Sequence, residues 1–333
     1  YGIIFMIFMI FINWKEDEIM PNIAIIGTGP SGMAAAQKLA TDGYSVTMYE
    51  KADRPGGILM YGIPHMKLNK NNIIKKAEVL KNLGVKFILN TNVTKEEIAD
   101  KICCDYDAVL LATGAEKARD ISIDGRELQN IHFAMEYLKD NTKHLLDGTE
   151  LKINAKGKKV VIIGGGDTAN DCVATAISQG ATSVRQLEIS SKNPDRKKNS
   201  YDFNEDEIRL YQSTAVKFIE ADGKVSKIVT DNVEFVRDEN GSKLEFKNQY
   251  GEIEADLIFV AIGFLGPVDE ALAAFDVEID KTKHNRDTQI FTTDRENVFI
   301  CGDARRGQSL IKWAIGEGKM AAVAIEEYFE SIK

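Results

Sequence analysis

The sequence predicts an α/β protein of two similar units, each a parallel sheet covered by helices, with the second unit inserted into the first. The 333-residue length exceeds what one hydrophobic core usually supports, so we expect two domains. A strand, a glycine-rich turn, a helix and a strand that ends on an acid follow one another from residue 22, and the same order recurs from residue 159. One strand and one helix remain after the second copy, and they need a sheet to join.

The first copy begins with the apolar run of residues 22–26, which is typical of a strand buried on both faces. The run leads into Gly27-Thr-Gly-Pro-Ser-Gly32. Strong helix formers fill residues 33–40, and residues 45–49 form a second strand pattern that ends at Glu50. This order is the signature of a Rossmann-like dinucleotide-binding unit.

The residues of this first turn have distinct expected roles. Gly27 permits the tight turn, Gly29 lets the backbone approach a pyrophosphate, and Gly32 lets helix and strand pack closely. Amides at the helix N-terminus face the phosphate, and the Glu50 carboxylate accepts hydrogen bonds from a ribose. A purely structural glycine turn is the alternative, but the surrounding strands and acid favour nucleotide binding.

The second copy repeats this order with one variation. A strand over residues 159–163 leads to Gly164-Gly-Gly-Asp-Thr-Ala169, and a helix continues to about residue 179. A strand over residues 183–187 then ends at Glu188. Alanine stands at the third turn position, where only a small side chain is needed.

The identity of the coenzyme depends on the region after this second strand. Glu188 favours NADH, because a carboxylate repels the 2′-phosphate of NADPH. Arg185, Lys192 and Arg196 lie close enough in sequence to form a clamp for that phosphate. Together with the resemblance described below, these bases favour NADPH, with NADH as the alternative.

Two dinucleotide sites in one chain indicate a flavin and a nicotinamide coenzyme, because these two cofactors react with each other. Asp303 follows a late apolar strand and precedes a helix, a position suited to binding the ribityl hydroxyls of a flavin. The N-terminus of that helix, near Ser309, would stabilise the reduced flavin. The alternative is that Asp303 only caps the helix.

The remaining strands define the domain boundaries. Two matching apolar runs close on Gly114 and on Gly263. The last strand and helix, residues 297–301 and 309–332, return to the first sheet. We therefore predict an FAD-binding domain over residues 20–150 and 265–333, an inserted NAD(P)-binding domain over 151–264 with an antiparallel crossover around 215–247, and a tail outside the fold over 1–19.

Several of these motifs together resemble the small (beta) subunit family of NADPH-dependent glutamate synthase. The similar segments are residues 28–37, 50–57, 61–64, 132–138, 164–168 and 302–310. The most specific are Gly-Phe-Leu-Gly-Pro at 263–267 and Arg-Arg-Gly-Gln-Ser-Leu-Ile-Lys-Trp-Ala at 305–314. The resemblance covers about residues 20 to 330.

The resemblance implies that FAD receives a hydride from NADPH. Electrons would leave through iron–sulfur clusters to a large subunit that makes glutamate from 2-oxoglutarate and glutamine. No catalytic acid or base is expected, since hydride passes from cofactor to cofactor. The expected FAD ligands are Gly27, Gly29, Gly32, Glu50, Gly57, Gly114, Asp303 and Ser309. The expected coenzyme ligands are Gly164, Gly166, Asp167, Thr168, Arg185 and Gly263.

The sequence departs from the family pattern in three places. The cysteine-rich region that holds iron–sulfur clusters in the family is not found in these residues. The loop after Glu188 is shorter than expected, and Met60 stands where a basic residue is expected. The resemblance therefore supports the flavin reductase core rather than complete glutamate synthase activity.

Composition excludes several other classes of function. A formal charge of −9 argues against nucleic acid or an anionic membrane as a main partner. The four cysteines and four histidines show no spacing of a metal site, which predicts a reduced cytoplasmic protein without metal. The apolar residues 1–13 are too few to span a bilayer, which needs roughly 20.

Three alternative functions can be compared, of which the sequence disfavours the first. A thioredoxin-reductase-type enzyme needs a cysteine pair beside the flavin, and the sequence has no C-x-x-C motif. A non-catalytic assembly subunit would keep the fold without passing electrons on. The chain could also supply electrons to a different iron–sulfur oxidoreductase.

Overall fold

The computed structural model describes residues 20–193, 201, 203–238 and 241–333. The predicted tail over residues 1–19 and the predicted phosphate-clamp residue Arg196 lie outside this part of the chain. Within it, no helix is both long and apolar enough to cross a membrane.

Strands and helices alternate through most of the described chain. In chain order the strands are β1 Asn22–Ile26, β2 Ser45–Tyr49, β3 Lys86–Ile88, β4 Ala108–Leu111, β5 Lys117–Ala118, β6 Ile131–Phe133, β7 Lys159–Ile163, β8 Ser183–Glu188, β9 Arg209–Tyr211, β10 Ser213–Ala221, β11 Lys224–Asp238, β12 Gly241–Glu254, β13 Leu257–Val260, β14 Phe264–Gly266 and β15 Val298–Ile300. The helices are α1 Pro30–Thr41, α2 Ile58–Tyr61, α3 Lys70–Asn82, α4 Glu96–Asp105, α5 Ala134–Asp147, α6 Asp167–Gln179, α7 Glu205–Ile208, α8 Asp269–Ala273, α9 Asp303–Arg306 and α10 Ile311–Ser331.

The first unit is a five-stranded parallel sheet in the order β15-β4-β1-β2-β3. All four residues of β4 are buried, as expected of a strand with helices on both faces. Helix α1 packs against α10 on one face, where Leu39 and Ile325 belong to the same buried cluster. The late strand β15 therefore returns to the first sheet, as the sequence predicted.

The second unit repeats this design with a sheet in the order β6-β13-β7-β8-β9. The rings of Tyr137 on α5 and Phe259 on β13 stack with centroids 4.0 Å apart beneath it. The antiparallel sheet β10-β11-β12 covers the other face and contributes Phe218 and Ile228 to the core. The two-unit α/β fold is thus confirmed.

The second unit begins earlier in the chain than residue 151. Strand β6 pairs with β13 at Ile131↔Ile258, which places residues 131–147 in the second sheet and its α5 layer. The sequence pattern instead places these residues in the first domain, because the glycine-turn unit at β7 is the first motif of the second unit that it contains. A three-residue edge strand without a motif gives no comparable signal.

The chain crosses between the units twice, at neighbouring places. Strands β5 and β14 form a small antiparallel ribbon, with Ala118 paired to Phe264. The Arg119 amide extends it by donating to the Gly263 carbonyl at 2.9 Å. The ribbon fixes where the second unit leaves the first and where it returns.

Two ion pairs add contacts between the units. Arg54 of the first unit pairs with Asp147 at the end of α5, and its Nη1 lies 3.1 Å from Asp147 Oδ2. Lys67 Nζ lies 2.8 Å from Asp171 Oδ1 on α6. The Asp171 side chain is buried, so this second contact is shielded from water.

A buried ion pair joins α9 to α10 within the first unit. Arg305 Nε donates to Glu317 Oε2 at 2.7 Å, and both side chains are almost fully buried. The guanidinium also lies over the Phe291 ring at 4.9 Å. Removing one partner of such a pair leaves an uncompensated buried charge.

We expect Glu317→Ala to lower the free energy of unfolding by about 3–5 kcal/mol, because Arg305 then stays buried without its partner. The control is Glu78→Ala, which breaks the exposed Lys81–Glu78 pair. The control should cost at most about 1 kcal/mol. Urea unfolding measures both, and similar losses in the two variants would contradict the burial argument.

Candidate functional site

Both glycine turns lie where a strand ends and a helix begins. Gly27 has φ +105° and Gly164 has φ +128°, backbone conformations that favour glycine. A Cβ at Gly27 would lie 2.5 Å from the Ala112 carbonyl oxygen, and one at Gly164 would overlap the Ala261 carbonyl. Each turn therefore contacts the residue that directly follows the neighbouring strand, which is Ala112 after β4 and Ala261 after β13.

The next turn positions leave their backbone open. A Cβ at Gly29 or Gly166 would meet nothing within 4 Å, so a ligand can approach each closely. Gly32 is different, because a Cβ there would overlap the Gly27 carbonyl. Its role is the close packing of helix and strand that the sequence predicted.

A carboxylate supports each turn from the end of the adjacent strand. Glu50 Oε2 accepts from the Thr28 amide at 3.1 Å and its hydroxyl at 2.5 Å, while Oε1 accepts from the Ala52 amide. Glu188 Oε1 accepts from the Ser190 amide at 3.1 Å, and its Oε2 lies against Gly165. The two acids thus occupy equivalent positions in the repeat.

A first cavity opens at the carboxyl ends of β1, β2 and β4. Among the residues that line it are Gly27, Gly29, Glu50, Gly57 and Gly114. Thr113 also lines this cavity, and its buried Oγ1 has no hydrogen-bond partner. An unpaired buried hydroxyl beside open glycine backbone fits a bound polar ligand such as a dinucleotide.

A second cavity opens at the carboxyl ends of β7, β8 and β13. It is lined by the turn residues Gly164, Gly166, Asp167 and Thr168, and by Gly263, Glu188 and Ser309. The residues Ile58, Ala115, Met135, Phe264 and Asp303 line both cavities. The two cavities therefore meet along a wall that is mostly apolar.

Asp303 is the charged member of this shared wall. The Ser309 hydroxyl donates to its Oδ1 at 2.6 Å. Burial raises the pKa of the Asp303 carboxyl, while the bond from Ser309 opposes the rise. The N-cap of α10 is Leu310, and Ser309 lies just before it. The Ser309 hydroxyl therefore binds Asp303 and does not cap the helix.

Two predicted or expected side chains do not reach the cavities. Arg185 donates from Nη1 to the Glu207 carbonyl at 2.7 Å and is not among the lining residues. It lies three residues before Glu188, the last residue of β8, and therefore about 10 Å from it along the strand. Met60, found where a basic residue was expected, is fully buried beside Ile73.

The shared wall includes residues that the sequence patterns did not indicate. Met135 is the second residue of α5, and Phe264 is the first residue of β14. The Phe264 amide donates to Gln308 Oε1 at 2.8 Å, which ties the ribbon to the loop before α10. The one indication of these residues in the sequence is that segments 132–138 and 263–267 resemble the glutamate synthase small-subunit family.

The four cysteines are all free thiols, and none lines either cavity. Cys172 and Cys301 are buried, and burial raises the pKa of both thiols. A disulfide reductase needs a reactive cysteine pair beside the flavin. This site has no such pair.

Residues 21–318 match the family model of pyridine nucleotide-disulphide oxidoreductases. The structure of Mycobacterium tuberculosis FprA in complex with NADPH has a TM-score of 0.74 and 16% identity, covering 94% of this chain and 85% of that chain. Thioredoxin reductase from T. acidophilum has a TM-score of 0.64 and 20% identity, covering 95% and 100%. These two structures share the fold of this chain. The match to the family model defines its class, an NAD(P)H-dependent flavoprotein oxidoreductase.

Curated relatives narrow this class. The Bacillus subtilis glutamate synthase [NADPH] small chain is 40% identical over 92% of this chain and 67% of its own length. The Escherichia coli small chain is 31% identical over 96% and 72%. Schizosaccharomyces pombe glutamate synthase [NADH] is 38% identical over 95% of this chain but only 17% of its own length. The chain belongs to the glutamate synthase small-chain family.

We expect Asp303→Asn to stabilise the nucleotide-free protein at neutral pH, because it removes a buried charge and keeps an acceptor for Ser309. The folded state raises the pKa of this carboxyl, so the carboxylate costs stability at pH values above that pKa. The cost disappears as the pH falls and Asp303 takes up its proton. The advantage of the variant should therefore shrink toward acid pH.

Thermal midpoints of both proteins over a pH series measure this difference. Ser309→Ala is the matched control, since it leaves the charge and removes its hydrogen bond. A lower midpoint for Asp303→Asn at neutral pH would show that the carboxylate is stabilising.

Proposed function

We propose that this chain is the electron-input flavoprotein of a glutamate synthase. It takes a hydride from NADPH onto FAD and passes electrons to a large subunit that makes glutamate from 2-oxoglutarate and glutamine. The observation that carries the proposal is the pair of cavities, each built on a glycine turn with a carboxylate, that share one wall.

The first cavity fits FAD. Helix α1 begins directly after Gly29, whose backbone is open, so a pyrophosphate would bind at this helix N-terminus. Glu50 already accepts hydrogen bonds from Thr28 in the turn, and a ribose hydroxyl would donate a further one. Gly114 leaves its side of the cavity open, and Thr113 and Asp303 offer polar groups to the ligand.

The second cavity fits the nicotinamide coenzyme. Open backbone at Gly166 and the start of α6 at Asp167 and Thr168 would receive its pyrophosphate. Gly263 has φ +94° and holds the chain near Gln308 at the shared wall. NADPH is the proposed coenzyme and NADH the alternative.

The shared wall would bring the two reacting rings together. When bound, FAD would accept a hydride from the reduced nicotinamide, a step that depends on contact between the rings. The apolar residues there would exclude water and orient both ligands, and they are Ile58, Ala115, Met135 and Phe264. The protein contributes geometry, and no acid or base side chain is required.

The proposed partner is the large glutamate synthase subunit, since the bacterial relatives are named as small chains. An iron–sulfur relay would carry electrons between the two flavin sites. The four cysteines of this sequence show no spacing that would hold such a cluster. The cluster ligands of such a relay would therefore be residues other than these four cysteines.

The purified chain should bind FAD, lose its flavin absorbance when NADPH is added anaerobically, and reduce an artificial dye. It should not form glutamate from 2-oxoglutarate and glutamine without added protein. Glu50→Gln should lower the amount of bound FAD, because Gln has a single accepting oxygen, and its NH2 group would face either the Thr28 amide or the Ala52 amide, both of which now donate to the carboxylate. A colourless chain, or bound FAD that NADPH cannot reduce, would favour a non-catalytic assembly subunit.

Coenzyme choice should depend on Glu188. We expect Glu188→Gln to lower the KM for NADPH and raise that for NADH, each by up to about tenfold, because a carboxylate repels a 2′-phosphate and accepts from a 2′-hydroxyl. Arg185→Ala is the matched control and should change neither value, since Arg185 binds the Glu207 carbonyl. An unchanged ratio of the two KM values in Glu188→Gln would contradict this assignment.

A further inference from the structure

The hairpin of β11 and β12 extends beyond the sheet to which it belongs. Strand β10 pairs with β11 only as far as Ser213↔Asn232. From Val233 onward, β11 pairs with β12 alone. We call residues 233–236 and 243–246 the outer hairpin.

The two faces of the outer hairpin differ in chemistry. Val233 pairs with Phe246, and Phe235 pairs with Leu244, so these four side chains share one face. Val233 is buried, but Phe235 and Phe246 are 49% and 51% exposed. The opposite face is mainly charged and includes Glu234, Lys243 and Glu245. An exposed aromatic face on a charged hairpin indicates a ligand or partner on that side.

The apolar face is turned toward the second cavity. Leu244 lines that cavity, together with Ser213 and Thr214 at the start of β10 and Ile189 after β8. Phe235 and Phe246 continue the surface from Leu244 along the same face. The outer hairpin is therefore a wall at one end of the proposed coenzyme site.

The internal repeat identifies which part of the coenzyme this end would hold. In the first cavity, Lys51 follows the supporting acid, and residues 91–94 follow β3. In the second cavity, Ile189 follows Glu188, and residues 213–214 follow β9. In such units the adenosine ribose lies beside the acid, so the adenine lies between these two segments.

We propose that the outer hairpin provides the adenine-binding wall of the coenzyme site, a role that rests on the proposed function of the second cavity. Leu244 is the contact residue, and Phe235 and Phe246 extend its surface. A purine is flat and presents an aromatic face, which packs well on aromatic and aliphatic side chains. Ile189, 38% exposed, also lines this cavity.

The test compares donors with and without the adenosine half. NADPH and reduced nicotinamide mononucleotide are each mixed with the FAD-loaded protein, and flavin reduction is followed by stopped flow. In Leu244→Ala and in the double variant Phe235→Ser, Phe246→Ser, we expect the apparent Kd for NADPH to rise about tenfold. The limiting rate should be unchanged, and reduced nicotinamide mononucleotide should react as with the parent protein.

Glu245→Ala on the charged face is the matched control and should leave both donors unaffected. An unchanged NADPH Kd in the apolar-face variants would overturn the proposal. Equal losses with both donors would also overturn it, because the hairpin would then act through the fold and not through adenine.

Titration calorimetry measures the binding of adenosine 2′,5′-bisphosphate and tests the adenine wall independently of the proposed reduction of FAD by NADPH. The probe carries the adenosine half of NADPH and needs no flavin reaction. Weaker binding to Leu244→Ala would support the adenine wall even if NADPH failed to reduce the flavin. Equal binding to parent and variant would overturn the wall even if NADPH reduced the flavin normally.

Discussion

The pairing of β5 with β14 is the constraint on which the site depends. Each unit has its own sheet and core, and a glycine turn at the end of a strand needs nothing from the other unit. The shared wall lies beside the place where Ala118 and Phe264 pair and the chain crosses between the units. The Arg54–Asp147 and Lys67–Asp171 ion pairs add contacts between the same two units. A site for two cofactors is thus formed by the connection rather than by either sheet.

The two copies of the nucleotide unit use the same geometry with different side chains. In the first, the Thr28 hydroxyl donates to Glu50 and accepts from the Gly56 amide, so the turn is tied to the next loop. In the second, Gly165 occupies the equivalent place, and the Glu188 carboxylate lies directly against it. The first turn is braced by its own side chain, which suits a cofactor that stays bound. The second turn has no side chain to brace it in this way, which suits a coenzyme that must exchange.

The strands before both glycine turns could be predicted from sequence, because a short apolar run followed by glycine is typical of a buried strand that leads into a tight turn. Both β1 and β7 have the predicted bounds, Asn22–Ile26 and Lys159–Ile163. Strand β6 could not be found, since three residues at a sheet edge have no periodicity. Closeness in sequence to Glu188 predicts Arg185 at the site, but closeness in sequence is not closeness in space, and its position along β8 directs its side chain to the Glu207 carbonyl. The position of Phe264 at the shared wall depends on how two distant segments meet, and in the sequence only the family resemblance of residues 263–267 indicates it.

The return of β15 to the first sheet has a consequence for synthesis on the ribosome. The second unit is one continuous segment and has all its strands once β13 has been made. The first unit must wait for Phe299 and Ile325, which belong to the same buried cluster as Ile25 on β1. Domains generally fold as units as the chain emerges, so the inserted unit can close first while β1, β2 and β4 still lack their last neighbours. Until then the edge of β4 is open, and chaperone binding at that stage would protect it from aggregation.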